Sequence, residues 1–222
     1  MFKKVLVAED FDSINIVLVQ TLKALGVKEI DHAKYCDDAL LKIKKANLDN
    51  SPFDLIISDL SFTDDYRKVI LKTGEELLRA IKIEQPTIKS IVYSVEYKDF
   101  RIKSLFDDIK IDAFVHKGRK SIVDLKRAIN IIFNKNDIFI SPEMNYILQN
   151  KISNEIDTFD IELIRQLSQG IAQEKMDEKF KELGIKPNSK STIEKRIGKL
   201  KDYFKASNTV HLIAIAKDLG IA

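Results

Sequence analysis

Through the first 135 residues, short apolar runs alternate with amphipathic stretches. The runs Val5–Ala8, Glu29–Ala33, Leu55–Ser58, Ser90–Ser94 and Ala113–His116 are short, β-branched or aromatic, and bounded by polar residues, which predicts five strands. Between and after them, Ser13–Leu25, Asp37–Lys45, Thr73–Glu84, Lys98–Phe106 and Ser121–Phe133 read as helices. In the first helix, Ile14, Val17, Leu18 and Leu22 recur at the spacing of one buried face. Strict alternation of strand and helix predicts a parallel sheet covered on both faces, the helices serving as crossovers.

Beyond this the pattern changes. Asn134–Lys151 reads as a connector containing Ser141-Pro142, and from Thr158 onward the periodicity is helical only. Phe159, Leu163, Ile164 and Leu167 form one stripe that ends at Gly170. Further helices are expected over Gln173–Leu183, stopping at Gly184, over Lys190–Phe204, and over Asn208–Leu219 with Asn208 as cap. The organisation expected is an α/β domain over 1–135, a linker over 136–154 and an all-α domain over 155–222. A chain of 222 residues suits two small domains.

Composition narrows the class. With 45% hydrophobic and 32% charged residues the chain is globular rather than disordered. Cys36 is the sole cysteine, so no intramolecular disulfide and no Cys/His zinc site is expected, and Cys36 reads as a small packing residue. No apolar run approaches the roughly 18 residues of a membrane span. Glu9 and Asp10 come too early for a secretory leader, so a cytoplasmic protein with no membrane partner is expected. The net charge of +3 is unremarkable, but Lys186–Lys205 holds seven basic and two acidic residues. That run is a local anion-binding signal.

In an open parallel sheet, ligands bind beyond the carboxyl ends of the strands. There the chain places Glu9 and Asp10 after the first strand, Asp59 after the third, Ser94 at the end of the fourth and Lys117 after the fifth. Three carboxylates gathered at one edge repel unless a cation joins them. A hard divalent ion such as Mg²⁺ suits oxygen ligands and keeps positions open for a phosphoryl oxygen. The lysine and the hydroxyl then suit the remaining phosphoryl oxygens, and the central carboxylate becomes a nucleophile that forms an aspartyl phosphate.

Residues 1–135 resemble the receiver domain of bacterial two-component response regulators. The resemblance is carried by Val7-Ala8-Glu9-Asp10, Leu55-Ile56-Ile57-Ser58-Asp59-Leu60, Ile91-Val92-Tyr93-Ser94 and Ala113-Phe114-Val115-His116-Lys117. It implies a doubly wound, flavodoxin-like α/β fold with a five-stranded parallel sheet. By the same resemblance, Asp59 is the phosphoacceptor and Mg²⁺ is held by Glu9, Asp10, Asp59 and the Ser61 backbone carbonyl. Ser94 and Lys117 bind the phosphoryl group, and Phe114 stands at the position of a switch aromatic or packs as core. Two departures stand out. Gly118 follows the lysine where receivers usually carry proline, so a trans bond is expected. The stretch from Leu60 to the first glycine, Gly74, is also several residues longer than usual.

The third C-terminal helix sets Ile193, Ile197, Leu200 and Phe204 on one face. Ser191, Lys195, Gly198 and Lys199 lie opposite, with Lys190 and Glu194 on a flank. A small, basic outer face suits a recognition helix in a major groove, and a wet face of a small bundle would show the same pattern. Residues 158–218 resemble the LuxR/NarL type of helix-turn-helix domain through Phe159–Gly170, Ser191-Thr192-Ile193-Glu194-Lys195-Arg196 and the closing helix. In that family the closing helix supports dimer contacts, for which Val210, Ile213 and Ala214 are the candidates. The turn Lys181–Ser189 is longer than the family's, and Glu194 stands where lysine is common.

The two resemblances together imply a transcriptional regulator that binds double-stranded DNA. A histidine kinase or a small phosphodonor would switch it through Asp59, and it would be a homodimer when active. It would catalyse only its own phosphorylation and dephosphorylation. The alternatives are a regulator of the same architecture that works without phosphate, a metal-dependent phosphotransferase or phosphatase, and an output domain that binds protein rather than DNA.

Overall fold

The computed structural model describes residues 1–63, 65–149 and 156–221. Residues 150–155, where the expected linker ends and the expected second domain begins, lie outside the described residues. The chain divides into two compact units, residues 1–97 with 104–145 and residues 98–103 with 146–222.

In the first unit the apolar runs form strands β1 (Lys4–Ala8), β2 (Glu29–Ala33), β3 (Leu55–Ser58), β4 (Lys89–Ser94) and β5 (Ala113–His116). The helices are α1 (Asp12–Ala24), α2 (Cys36–Leu48), α3 (Gly74–Glu84) and α5 (Ser121–Lys135). Helix α4 (Asp99–Ser104) runs into a π-helical turn over Leu105–Ile109, and its residues 99–103 group with the second unit. The expected doubly wound parallel sheet is present with one correction. It has six strands in the order β2-β1-β3-β4-β5-β6, not five. The added strand, β6 (Phe139–Ile140), lies in the stretch read as connector and pairs parallel with β5. Phe139 N donates to Asp112 O at 3.0 Å and Ser141 N to Phe114 O at 3.0 Å, so β6 satisfies backbone groups on the outer edge of β5. A strand of two residues is too short to show a period, which is why hydropathy missed it.

Alternate strand residues serve the two layers. On one face Val5, Val7, Leu55, Ile57, Ile91, Ala113 and Val115 pack with Leu18 and Leu22 of α1 and Leu125, Ala128, Ile129 and Ile132 of α5. The residues between them, Leu6, Ile56, Val92 and Phe114, are fully buried toward the other face, where Ala39, Ile43, Leu77, Leu78 and Ile81 are also buried. With side chains consumed on both faces, polar groups are left to the strand ends, and that is where the site forms.

The second unit contains α6 (Tyr146–Gln149), α7 (Thr158–Ser168), α8 (Met176–Glu182), α9 (Lys190–Tyr203) and α10 (Thr209–Leu219). Its core joins Leu163, Ile164, Phe180, Ile193, Ile197, Leu200, Leu212 and Ala216. Side-chain caps fix the helix starts: Asp157 and Asp160 form a capping box on α7, Ser189 accepts from Thr192 N, and Asn208 accepts from His211 N. Among the described residues, no helix is long and apolar enough to cross a membrane.

Candidate functional site

Strands β1 and β3 are neighbours in register, Ala8 opposite Ser58, so the residues that follow them emerge side by side. These are Glu9, Asp10 and Asp59. Each offers a carboxylate oxygen, and the oxygens lie within 4.8 Å of one another. Glu9 is 2% exposed and Asp59 5%. From the end of β5, Lys117 reaches across to both, its Nζ 2.8 Å from Glu9 Oε2 and 2.6 Å from Asp59 Oδ2. Lys117 N donates to Ser94 O at 2.7 Å, which fixes the two strand ends to each other.

The electrostatics follow from burial. Loss of water pushes the Glu9 carboxyl above its usual range, against the pull of Lys117. Burial also works against the charge of Lys117, but hydrogen bonds and charge from Asp59 and Glu9 outweigh it and hold the ammonium above its ordinary value. Lysine thus supplies one positive charge to a group of three acids.

Two oxygens are left over. Ser94 Oγ and Asp10 Oδ1 are buried without a hydrogen-bond partner among the described residues. A buried, unsatisfied hydroxyl or carboxylate oxygen is costly unless a further ligand completes it. The donor set is all oxygen, and the orphaned Asp10 Oδ1 belongs to the same cluster, so the residues present fit a hard divalent cation.

Glu9, Asp10, Asp59, Ser94 and Lys117 all lie at this strand-end edge. Ser61 opens the following loop and makes an isolated antiparallel bridge with Thr73. Phe114 is fully buried in β5. The Lys117–Gly118 bond is trans, the cis bond of the described residues being Lys186–Pro187.

Sequence reasoning passed over three residues here. Tyr93 lies under Lys117, with Nζ 5.4 Å from the ring centroid, and its hydroxyl donates to Ser121 Oγ at 2.9 Å, tying β4 to the first residue of α5. Gly74 opens α3 against the Asp59 backbone, and its N–H donates to Leu60 O at 2.9 Å. Thr63 donates to Asp10 Oδ2 from both its N–H, at 2.8 Å, and its hydroxyl, at 2.5 Å. Gly74 was visible only as the first glycine after Asp59, and a threonine in a polar loop carries no local signal. Cys36 is buried as expected, and burial pushes its thiol up to about 12.

In the second unit, Lys190, Ser191, Glu194, Lys195 and Lys199 are exposed on α9, and a Cβ on Gly198 would meet nothing within 4 Å. Another cation of the helix, Arg196, behaves differently. Arg196 forms ion pairs with Asp157 and, at 2.9 Å, with Asp160 Oδ1, both from the capping box of α7. Arg196 holds Asp157 below the usual carboxylate range although burial acts the other way, whereas burial raises Asp160. On α10, Val210 is 76% exposed, Ala214 exposed and Ile213 half-buried.

This fold, a doubly wound parallel sheet followed by a helical unit, is shared with solved structures of a response regulator. The structure of the response regulator RcsB from Salmonella typhimurium matches over 97% of this chain and 99% of its own, with a TM-score of 0.66 at 20% identity. RcsB from Salmonella enterica serovar Typhimurium, bound to promoter rprA in the presence of the phosphomimetic BeF₃⁻, matches over 98% of this chain and 99% of its own with a TM-score of 0.61 at 20% identity. The isolated receiver domain of that protein with BeF₃⁻ covers 65% of this chain and 97% of its own, with a TM-score of 0.53 at 21% identity. At this identity the likeness is one of fold. No protein-family model matches the chain, and no curated protein sequence does.

Proposed function

We propose that the chain is a DNA-binding response regulator switched by phosphorylation of Asp59. The observation that carries this reading is the Lys117 ammonium shared between Asp59 and Glu9, together with a buried hydroxyl, Ser94 Oγ, that has no partner among the described residues. Core packing does not require that set, whereas a tetrahedral anion on Asp59 would use every member of it.

Asp59 is the nucleophile. Its carboxylate oxygens are held by Leu60 N (Oδ1, 2.6 Å) and Lys117 Nζ (Oδ2, 2.6 Å). One of them attacks the phosphorus of a phosphohistidine or of acetyl phosphate, the P–N or P–O bond to the donor breaks, and imidazole or acetate departs with the bonding pair. Lys117 turns from the carboxylates to a phosphoryl oxygen, and Ser94 Oγ donates to another. A divalent cation held by Glu9, Asp10, Asp59 and the Ser61 carbonyl would neutralise the remaining charge. Water later hydrolyses the acyl phosphate and restores Asp59, so the chain turns over only its own modification. Ser94 drawn toward the new charge, with Phe114 buried two residues before His116 on the paired strand, gives a two-state element that phosphate biases.

The output is read by α9. Lys190, Lys195 and Lys199 attract phosphates, Ser191 and Glu194 face base edges, and Gly198 permits close approach. That RcsB, of the same fold, is bound to promoter DNA in the presence of BeF₃⁻ supports the pairing of the two units' roles. A histidine kinase as donor, and a homodimer through Val210, Ile213 and Ala214 on paired half-sites, complete the proposal.

Intact mass after incubation with acetyl phosphate, with and without Mg²⁺, tests it. A Mg²⁺-dependent gain of one phosphoryl group that Asp59→Asn abolishes is expected. No gain under conditions that label an ordinary receiver refutes the phosphate switch.

A further inference from the structure

The loop between β3 and α3 leaves the sheet and returns to its starting point. Ser61 and Thr73 close its neck with an antiparallel bridge, and Gly74 N donates to Leu60 O at 2.9 Å. The excursion between them has the closed ends of an Ω-type loop. Such a loop is held by its own contacts, and this one is fastened to α2 and the residue before it. Asp37 accepts from Ile70 N at 2.8 Å and from Leu71 N at 2.9 Å. Asp38 takes the Arg67 guanidinium in a two-pronged pair at 2.6 and 2.9 Å. The same guanidinium lies 4.5 Å from the centroid of the Tyr35 ring.

None of these anchors involves the acidic site. Yet the loop delivers one residue to it, since Thr63 donates twice to Asp10 Oδ2, from the backbone at 2.8 Å and from Oγ1 at 2.5 Å. Two donors on one oxygen fix the plane of the carboxylate, and the other oxygen, Oδ1, is left buried with no partner among the described residues. That asymmetry has a use. A carboxylate free to rotate would spread its oxygens over many orientations and lose that freedom on binding a cation. One already held by Oδ2 keeps Oδ1 ready. Outer groups that orient a ligand in this way are worth about 10–100-fold in metal affinity.

We infer that Thr63 is a positioning residue for a divalent cation, which it serves by locking Asp10 through Oδ2 so that Oδ1 is presented to the cluster with Glu9 and Asp59. The inference rests on the cation-assisted reading given above and deepens it. The long loop, fastened to α2, is then the frame that holds Thr63 in place, not a passive insertion.

The test measures the cation directly. Mn²⁺ binding to the full, unphosphorylated chain is followed by loss of the free-ion electron paramagnetic resonance signal, for the unaltered protein, Thr63→Val, Thr63→Ser and Asp37→Ala. Valine removes the hydroxyl and keeps the backbone donor, so Mn²⁺ affinity should fall about tenfold, the low end of the range for such groups. Serine restores the hydroxyl and should bind within about twofold of the unaltered chain. Asp37→Ala loosens the frame without touching Thr63 and should weaken binding in the same direction. The Mg²⁺ concentration for half-maximal labelling of Asp59 should shift by the same factor, with the rate at saturating Mg²⁺ unchanged. Equal affinity in Thr63→Val and the unaltered chain overturns the inference and leaves the phosphate switch standing. Tighter binding in Thr63→Val also overturns it, because Thr63 would then compete with the cation for Asp10. Failure of the unaltered chain to bind Mn²⁺ overturns both readings.

Discussion

The backbone of Gly74 passes so close to Asp59 that a Cβ on the glycine would lie 1.8 Å from the Asp59 carbonyl oxygen. A contact of that length is impossible, so any side chain at position 74 must move either the start of α3 or the end of β3. The neighbouring atoms are backbone, at 2.8 Å for Asp59 C and 2.9 Å for Leu60 Cα, and backbone gives way less readily than a side-chain tip. Gly74→Ala should therefore cost about 1–3 kcal/mol, the range for overpacking. It should also displace the Asp59 carboxylate from Lys117. Urea denaturation reads the first effect and the rate of acetyl phosphate labelling the second. A variant as stable and as reactive as its parent would show that the close approach is not needed.

Lys117 supplies one positive charge to three acids, and its removal has a specific signature. In Lys117→Ala, Glu9 and Asp59 stay buried without their shared ammonium, and breaking one side of a buried pair costs about 3–5 kcal/mol. A divalent cation can replace part of that charge. Saturating Mg²⁺ should thus stabilise the variant by more than it stabilises the parent. Chemical denaturation of both proteins in EDTA and in Mg²⁺ makes the comparison, and an equal Mg²⁺ effect would contradict the charge argument.

How much of this was legible in the residues differs from place to place. Glu9, Asp10, Asp59, Ser94 and Lys117 could be placed together because strand ends of a parallel sheet share one edge, a property of topology that hydropathy alternation reveals. The strand β6 could not, since Phe139 and Ile140 are too few to display a period. The link from Thr63 to Asp10 spans 53 residues and depends on the path of an irregular loop, for which no local rule exists. Gly198 was readable from its position opposite the apolar stripe of α9. Arg196 sits beside that stripe, and only the folded unit shows that it points back to α7 instead of adding to the outward charge.

The Arg196 cluster gives a prediction with a pH sign. Arg196→Leu leaves Asp160, 1% exposed, without its counter-charge. The loss should be about 2 kcal/mol, below the usual cost of breaking a buried pair because the half-exposed Asp157 is screened by water. In the parent, Asp157 is held below its ordinary 3.8, so its contribution is full above pH 3.8 and is lost as pH falls through its folded value. Asp160, raised by burial, costs stability while charged and is relieved by protonation. The gap between parent and variant should therefore be widest at neutral pH and narrow below about pH 3.8. Unfolding midpoints across that range decide it, and a gap that widens on acidification would reverse the assignment.

Gly198 separates the two readings of α9. As an interior helix glycine it costs about 0.8–1 kcal/mol relative to alanine, and its Cβ position is open. If α9 were only a wet face of a small bundle, Gly198→Ala and Gly198→Leu would both stabilise the unit and change nothing else. If α9 lies in a major groove, the same substitutions still stabilise the fold, but leucine fills the space a base edge or backbone needs. Binding to duplex DNA should then fall steeply for Gly198→Leu while its melting temperature rises. Lys195→Ala provides the second axis, since loss of one phosphate contact should weaken binding to every sequence and lower the slope of log affinity against log salt by about 1. Fluorescence anisotropy with random duplex at several salt concentrations measures both. Undiminished binding by Gly198→Leu, with an unchanged salt slope for Lys195→Ala, would remove α9 from the DNA interface.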